Sequence, residues 1–503
     1  MPSPGFFHDG PLADGLQRSA RLWFWAATAV SLVWAVVFSC YSAYLQSVFR
    51  GSPDSAIHAQ LLWNLGRGRF FETSFLPYSF AGNHFWPALY TVVPLFMATG
   101  LTGMLVLQAF LLASGAVAVY ALCHHETDSP AWSFLLACAY LSCPTVSAGV
   151  LHDFHFELIS VPFSLLALLG LRHRKWWFVA PLLLSLGFYE VNGLVWPFVG
   201  LGMLFARDRR LRRMGLALFF CSVVYTGVVT GVVMPHFRGI PEPHAWVRYA
   251  HLGATPAEAA LTLLRHPFRC LSQSVSSQDL GSFRLLLAFG LLPLFGFRRL
   301  APALPLWLLL LLSKWDLAAN IRFGYFAPVI PSLVWASCLG VSRLRRRCPS
   351  RHVRMTFFFV VAIFVAWTFV FYQVSKPMRR HPFTVRENLD EIRVAVSLVP
   401  PEASVSADGH ICPVLYRRRH LQVTSDTLWN GNRADFLLVD LSENAYKEPG
   451  WAKRIRGVVS PSGYQPVWFQ NGIALLRYQG GDPGLTGPFL DYLEQRVRQG
   501  TLP

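Results

Sequence analysis

The segment LHDFHFELIS (151–160) places four chemically active side chains between two apolar runs. His152 and His155 are three residues apart and Asp153 and Glu157 are four apart, so each pair shares one face of a helix. Imidazoles and carboxylates at this spacing can bind a divalent cation or relay a proton. The competing interpretation is an ordinary helix start, with its histidines at the depth of the lipid headgroups.

Asp54 is a second acid in a position that permits chemistry. It follows Pro53 and begins a predicted amphipathic helix, in which apolar residues recur at helical spacing: Ile57, Leu61, Leu62 and Leu65. Its carboxylate would lie at the start of that helix. Asp is also a favoured capping residue, so a purely structural role remains open at this point.

Glu190 interrupts an otherwise unbroken apolar stretch from Trp176 to Ala206. Two short crossings joined by a tight turn would bring it to the surface, whereas one long tilted helix would bury it. A charged side chain at the bilayer centre costs about 2.5–3.5 kcal/mol on insertion scales, so Glu190 needs a partner in either case.

Basic residues occur near these acids in the predicted topology. Lys314 and Arg322 flank the sequence WDLAAN, and the loop 236–253 contributes further basic side chains: Arg238, His244, Arg248 and His251. Arg and Lys are natural partners of phosphate. The alternative is that they extend to the headgroups of ordinary lipids.

The composition identifies the setting in which these residues act. Of 503 residues, 53% are hydrophobic and only 14% are charged, which is typical of a multi-span membrane protein. The net charge of +17 resides largely in short basic loops beside apolar segments, at 172–175, 207–213 and 343–354. Such loops stay on the cytoplasmic side of the membrane, so we expect no nucleic-acid partner. The nine cysteines show no metal-binding spacing.

Eleven membrane spans account for the hydrophobic pattern. They are predicted at 23–47, 101–123, 131–150, 157–171, 176–189, 193–206, 214–235, 282–297, 301–314, 323–342 and 355–374. The segment 85–100 is broken by Pro87 and Pro94 and is predicted to be a membrane-surface or re-entrant helix.

The predicted topology divides the chain into three parts. They are a cytoplasmic tail (1–22), a transmembrane domain (23–375) with its first external loop at 50–86, and an extracytoplasmic α/β domain (376–503). The last part is expected from the helical pattern after 391, the Pro-Pro turn and the buried-type strand ADFLLVDL. Nearly all acidic, histidine and amide residues near a span then fall on the external side: Asp54, His58, His84, His152, Asp153, His155, Glu157, Glu190, Asn192, His236 and Asp316, together with Lys314 and Arg322.

The order of several segments resembles the DUF2079 family of predicted membrane proteins, which is grouped with the GT-C membrane glycosyltransferases. The matching segments, in family order over about 50–445, are DSAIHAQLLWNLGRGRFFETS, AGNHFWPALYTVVPLF, VLHDFHFELISVPF, GFYEVNGL, VVMPHF, RYAHLGATPAEA, RFGYFAPVIPSL, VPPEASVSADGHICPVLYRRRHL and ADFLLVDL. The resemblance implies a mainly α-helical, GT-C-like polytopic protein of the bacterial inner membrane.

The resemblance also implies an activity. An inverting transferase would move a sugar from a polyprenyl-phosphate donor in the membrane lipid to an acceptor on the external face, with Asp54 and Glu190 as catalytic residues. The implied pocket residues are His58, His84, His152, Asp153, His155, Glu157, Asn192, His236 and Tyr325. Lys314, Arg322 and Arg248 would bind the donor phosphate. A divalent metal is left open, with Asp54, His152, Asp153 and His155 as candidate ligands, and no dissolved cofactor is required.

Two departures from the family pattern bear on activity and metal dependence. His58 stands where a second acid is expected after Asp54, and Val191-Asn192 stands where an acid commonly follows the Glu190 position. A transporter is an alternative, although we find neither a repeated half nor ionisable residues throughout the bilayer thickness. A non-catalytic GT-C-like scaffold that binds a protein partner through 376–503 is another.

Overall fold

The computed structural model describes residues 11–152, 154–239, 244–275, 280–315, 317–348, 350–375, 386–442, 450–460 and 462–499. Within these ranges the helices are α1 Pro11–Ser47, α2 Pro53–Leu65, α3 Val93–Thr127, α4 Pro130–Ser142, α5 Pro144–His152, α6 Phe156–Arg172, α7 Val179–Phe188, α8 Trp196–Leu204, α9 Arg209–Val228, α10 Met234–Arg238, α11 Pro256–Arg265, α12 Pro267–Ser274, α13 Arg284–Ala288, α14 Leu292–Phe295, α15 Phe297–Leu300, α16 Leu304–Leu311, α17 Ile330–Arg347, α18 Arg351–Phe369, α19 Leu389–Ser397, α20 Thr424–Asn430, α21 Trp451–Val458 and α22 Pro483–Arg498. The strands are β1 Val405–Ala407, β2 Leu421–Val423, β3 Phe436–Asp440, β4 Tyr464–Gln470 and β5 Ile473–Tyr478.

Five helical segments in the described ranges are long and apolar enough to cross a membrane: Arg18–Ser47, Val93–Thr127, Arg209–Arg238, Gly324–Arg347 and Arg351–Val374. Two bent pairs raise the number to seven if each pair forms one span; they bend by 51° after Ser142 and by 117° after Phe188. The predicted spans at 282–297 and 301–314 contain only short helices. A mainly α-helical membrane fold is therefore confirmed, while the count of eleven crossings stays a prediction.

The breaks between helices occur where proline, glycine or a polar residue interrupts the apolar pattern. The segment 85–100 forms a short 3₁₀ helix at Pro87–Thr91 and then the first turns of α3. Gly100 interrupts α3 with φ of 66°, a left-handed backbone conformation that glycine adopts readily. The 117° bend contains Glu190 and agrees with the predicted turn between two short helices.

A small mixed sheet forms the C-terminal part, as the sequence predicts. The strand order is β2-β1-β3-β5-β4, in which β1 is parallel to both of its neighbours and β5 is antiparallel to β3 and β4. All five residues of β3 are buried, so this central strand supplies apolar side chains to both faces of the sheet.

One face of this sheet packs against the first loop of the membrane part. Its hydrophobic cluster combines Leu438 and Leu475 of the sheet with Val48 and Phe49, which directly follow α1, and with Ala56 in the first turn of α2. The C-terminal part therefore packs against the start of α2, next to Asp54.

Candidate active site

A cavity of about 280 Å³ lies at the N-terminal end of α2. It is lined by Asp54, Ile57, His58, Leu76, Phe80, Asn83, His84, Trp86, His155, Glu157, Met234, Arg238, Arg248, Phe323, Gly324 and Tyr325. The predicted site residues Asp54, His58, His84, His155, Glu157, Arg248 and Tyr325 are thus brought together, although more than 270 residues separate the first from the last.

Asp54 lies in the first turn of α2 and does not cap it. The capping residue is Ser52, whose hydroxyl oxygen accepts a hydrogen bond from the Asp54 main-chain nitrogen at 3.2 Å. The Asp54 side chain is exposed to the cavity, and its carboxylate makes no hydrogen bond or ion pair to any described residue. The positive end of the helix dipole stabilises a carboxylate in this position. The capping explanation is therefore excluded, and the carboxylate faces the cavity without a partner among the described residues.

His58 supports the wall of the cavity one turn beyond Asp54. Its Nδ1 lies 2.8 Å from the Phe154 carbonyl oxygen, which can only accept, so Nδ1 carries the proton. Burial lowers the pKa of His58 below its usual value, although the nearby Glu157 opposes that shift. A neutral imidazole results, with Nε2 left as an acceptor.

Glu157 and His155 form the adjacent part of the lining. The His155 Nδ1 and Glu157 Oε2 atoms are 3.6 Å apart, and both side chains are largely buried. The main-chain nitrogen of His155 donates to the Gln108 side chain of α3 at 2.7 Å. The long membrane helix α3 therefore fixes the turn that carries this pair.

His84 and Glu190 form a second acid–imidazole pair, across 106 residues of sequence. His84 Nδ1 and Glu190 Oε1 are 2.7 Å apart, and the His84 ring stacks on Trp86 at a centroid distance of 4.8 Å. Burial opposes the charge on His84, but the Glu190 carboxylate and its hydrogen bond outweigh it and raise the pKa of His84. Glu190 is therefore a buried acid that is paired with His84, and the His84 side chain is the member of the pair that lines the cavity.

Two arginines give the cavity its positive charge. The Arg248 guanidinium lies 3.7 Å from the centroid of the Trp315 ring, a cation–π contact that holds it in place. Arg238, at the end of α10, is buried and donates from Nε to the Gly82 carbonyl at 2.9 Å. Arg238 belongs to the basic residues of the loop 236–253 noted in the sequence, but it was not among the site residues that the family resemblance implies. The sequence signal that could have identified it as a site residue is its position at the predicted external end of a span.

Five predicted site residues in the described part of the chain do not line this cavity. Glu190 is one of them and is hydrogen-bonded to the lining residue His84. Asn192 is buried and donates to the carbonyls of Ser185 and Tyr189, both at 3.0 Å, so it stabilises the bend. His236 is exposed on α10.

The other two are the predicted phosphate ligands Lys314 and Arg322. The Lys314 ammonium donates to the Gln273 carbonyl, and its main-chain nitrogen donates to the Arg248 carbonyl at 2.9 Å. The main-chain nitrogen of Arg322 donates to Asn320 at 3.1 Å, next to the cavity residue Phe323. Both therefore lie beside cavity residues, and their roles as phosphate ligands stay predictions.

The metal hypothesis is supported by no cluster in the described part of the chain. Among those residues no group of three or more His, Cys, Asp or Glu side chains has a geometry that could hold a metal ion. Asp153 and the His152 side chain, two of the four candidate ligands, lie outside the described residues, and so does Asp316.

The broken helices, the cavity and the C-terminal sheet define a polytopic membrane protein with a GT-C-like fold. The chain belongs to the family described as Predicted membrane protein (DUF2079), whose model matches residues 44–475. The resemblance in the sequence is thereby confirmed.

A solved structure shares this architecture. The crystal structure of ArnT from Cupriavidus metallidurans bound to undecaprenyl phosphate matches with a TM-score of 0.52 at 14% sequence identity, covering 89% of this chain and 97% of that chain. The crystal structure of the same protein in the apo state gives a TM-score of 0.47 at 14% identity, covering 89% and 98%. No curated protein matches the chain. At this identity the likeness establishes the fold.

Proposed function

We propose that this protein transfers a sugar from a polyprenyl-phosphate donor to an acceptor on the external face of the bacterial inner membrane. One observation carries the proposal: a carboxylate without a partner among the described residues, Asp54, shares a cavity with the arginines Arg238 and Arg248. A neighbour with the same fold, ArnT, is bound to undecaprenyl phosphate, which supports a lipid phosphate as the donor group.

The proposed reaction is a direct displacement at the anomeric carbon. The acceptor hydroxyl oxygen attacks that carbon, the bond to the phosphate oxygen breaks, and the phosphate leaves with the bonding electron pair. Asp54 takes the proton from the acceptor hydroxyl, so charge and protons balance without a further reactant. The configuration at the anomeric carbon inverts.

The cations act on the leaving group. Negative charge grows on the phosphate as the bond breaks, and the Arg248 and Arg238 guanidinium groups are fixed near the place where it develops. Protonated His84, supported by Glu190, adds a third positive group on the same cavity. Because the donor is held at the membrane surface, orientation contributes much of the rate.

The proposal includes the topology predicted from the basic loops. The N-terminus (1–22) is cytoplasmic, the cavity opens outside, and residues 376–503 form an extracytoplasmic domain. Asp54, His84 and Arg248 then meet an acceptor that is itself external or membrane-bound.

The test replaces Asp54 by Asn in the full-length protein, purified and supplied with a lipid extract of the source membranes that contains both polyprenyl-phosphate sugars and lipid-linked acceptors. Asn keeps the size of the side chain but cannot accept the proton at neutral pH. Transfer is followed by release of polyprenyl phosphate, and we expect it to fall by about a hundredfold or more.

The matched control is Asp390→Asn, an exposed acid of α19 whose side chain is 87% accessible and lies outside the cavity. Unchanged release in Asp54→Asn would remove Asp54 from the mechanism. Absence of release in the wild type with every extracted donor would instead favour a scaffold role.

A further inference from the structure

Three arginines gather at the far end of α2, away from the candidate active site. Arg67 and Arg69 follow the end of α2, and their guanidinium carbons lie 4.5 Å and 5.2 Å from the centroid of the same indole ring, that of Trp63. Arg69 also donates from Nη1 to the Asn64 side chain at 2.9 Å. Two like charges are thus held close together by one aromatic ring.

Arg417 reaches the same region from the C-terminal part. Its Nε donates to the Tyr416 hydroxyl oxygen at 3.0 Å, and the Tyr416 ring packs on Phe96 at a centroid distance of 5.4 Å. A Cβ atom at Gly100 would lie 3.7 Å from an Arg417 Nη2. The loop that carries Arg417 therefore rests on the first turns of α3.

The chain next to Arg67 and the loop that carries Arg417 both contact one short segment of α3, residues 97–100. A Cβ atom at Gly66 would lie 2.5 Å from the Met97 sulfur, so the end of α2 contacts the turn that precedes Gly100. Met97 and Gly100 are three residues apart, about one helical turn. We call Arg67, Arg69 and Arg417 the arginine surface.

No ion pair neutralises the arginine surface within the described part of the chain. Arg67 and Arg417 are exposed and Arg69 is half-buried, and none of the three pairs with a carboxylate there. Apolar side chains are exposed around it, with accessible fractions between 41% and 49%: Phe70, Tyr90, Leu95 and Met97. Unpaired guanidinium groups above exposed apolar side chains are typical of contact with anionic lipid.

We propose that the arginine surface binds the headgroup phosphates of anionic phospholipids, with Tyr90, Leu95 and Met97 in the acyl-chain region below. The planar guanidinium fork can donate two parallel hydrogen bonds to a phosphodiester. An anion between Arg67 and Arg69 also relieves their mutual repulsion. Such lipids would anchor the end of α2 opposite Asp54, independently of sugar transfer.

The experiment measures retention of phosphatidylglycerol and phosphatidylcholine by the full-length protein in detergent, using native mass spectrometry. The variant R67Q/R69Q/R417Q should lose phosphatidylglycerol selectively, with retention lower by an order of magnitude or more, because each interfacial arginine contributes to anionic-lipid binding. R67K/R69K/R417K keeps the charge but not the fork, and should retain an intermediate amount.

The matched control is R393Q/R456Q/R498Q, which removes the same charge from three exposed arginines of the C-terminal part, whose side chains are 55%, 61% and 82% accessible. This control should retain phosphatidylglycerol like the wild type. An equal loss in both triple variants, or no loss in either, would overturn the proposal. Conversion of a dimer to a monomer by R67K/R69K/R417K, with lipid retention unchanged, would assign the surface to a second copy instead. No sugar donor is present, so failure of the transferase proposal leaves this test intact.

Discussion

The cavity at Asp54 and the cluster at Asp440 contain the same residue types in opposite states. Asp440 ends β3, is fully buried, and accepts hydrogen bonds from Arg386, Asn388 and Ser442. His410 Nε2 lies 3.2 Å from its Oδ2. Burial alone would raise the pKa of Asp440, but the hydrogen bond and charge of His410, together with Arg386, lower it to about 2. Asp54, in contrast, faces the cavity without a described partner.

The difference shows that residue type alone does not distinguish an acid that is available for catalysis from an acid that stabilises the fold. At Asp440 the lone pairs are occupied by neighbours, so the carboxylate has little capacity left for a ligand. At Asp54 the helix cap is provided by Ser52, which leaves the carboxylate unused by the fold. We expect a functional acid to be one whose carboxylate makes no hydrogen bond or ion pair that stabilises the fold.

The largest expected effect comes from exchanging Asp54 for the corresponding amide. Asp54→Asn should abolish most transfer, as above, while changing the free energy of unfolding by less than about 0.5 kcal/mol, because the side chain is exposed. Thermal and denaturant unfolding in detergent measure the stability. A loss of stability as large as that of a core variant would show that Asp54 has a structural role.

Arg386→Ala should produce the reverse pattern in the C-terminal part. The substitution removes the permanent positive charge of Arg386 from the buried Asp440, and loss of one partner of a buried ion pair typically destabilises by about 3–5 kcal/mol. Arg393→Ala is the control, since its pair with Asp390 is exposed and contributes little. Similar unfolding midpoints for both variants would contradict the assignment of Asp440 to scaffolding.

A smaller effect is expected from Arg248→Lys. Lysine keeps the charge but loses the planar contact with Trp315 and the forked hydrogen bonds, so we expect kcat to fall by about tenfold. Lys314→Arg beside it should change kcat less than twofold, because its side chain does not line the cavity. Transfer at saturating donor measures both. Equal losses in both variants would return Lys314 to the phosphate site.

The smallest effect is a displacement of the pH profile in Glu190→Gln. Glu190 raises the pKa of His84, so the charge on His84 is fully present below the usual value of about 6.5 and is lost only as the pH rises through a higher value. Without the carboxylate, the alkaline decline of kcat/KM should begin at lower pH. Measurement from pH 5.5 to 9 tests this, with the exposed Glu72→Gln as control. If the alkaline decline of kcat/KM occurs at the same pH in Glu190→Gln, the protonation of His84 does not determine the pH profile.

Much of the fold could be predicted from the sequence, because burial restricts which residue types occur in membrane helices and in buried strands. Apolar runs and basic loops predicted a mainly helical membrane protein, and ADFLLVDL predicted the buried strand β3. The convergence of Asp54, His84, His155 and Glu157 in one cavity was predicted only indirectly, because the predicted topology places all four on the same side of the membrane.

The remaining parts depended on contacts that no local pattern encodes. The pairing of His84 with Glu190 spans 106 residues, and the choice of Arg238 over Lys314 as a lining residue depends on how loops pack. The capping role of Ser52 was also hidden, because both Ser52 and Asp54 are common at helix starts. The helices at 284–311 are short because proline and glycine divide the apolar runs there, and the two spans expected in this region stay predictions.

The close approach of Gly409 to Pro53 has a consequence for the design of chimeric proteins. A Cβ atom at Gly409 would lie 2.9 Å from the Pro53 ring, and the Arg386 Nη1 donates to the Phe49 carbonyl at 3.1 Å. The sheet of one homologue grafted onto the helices of another would have to reproduce both fits at once. The membrane part and the C-terminal part of this chain are therefore poorly interchangeable modules, and a substitution in either should be tolerated best when its counterpart changes with it.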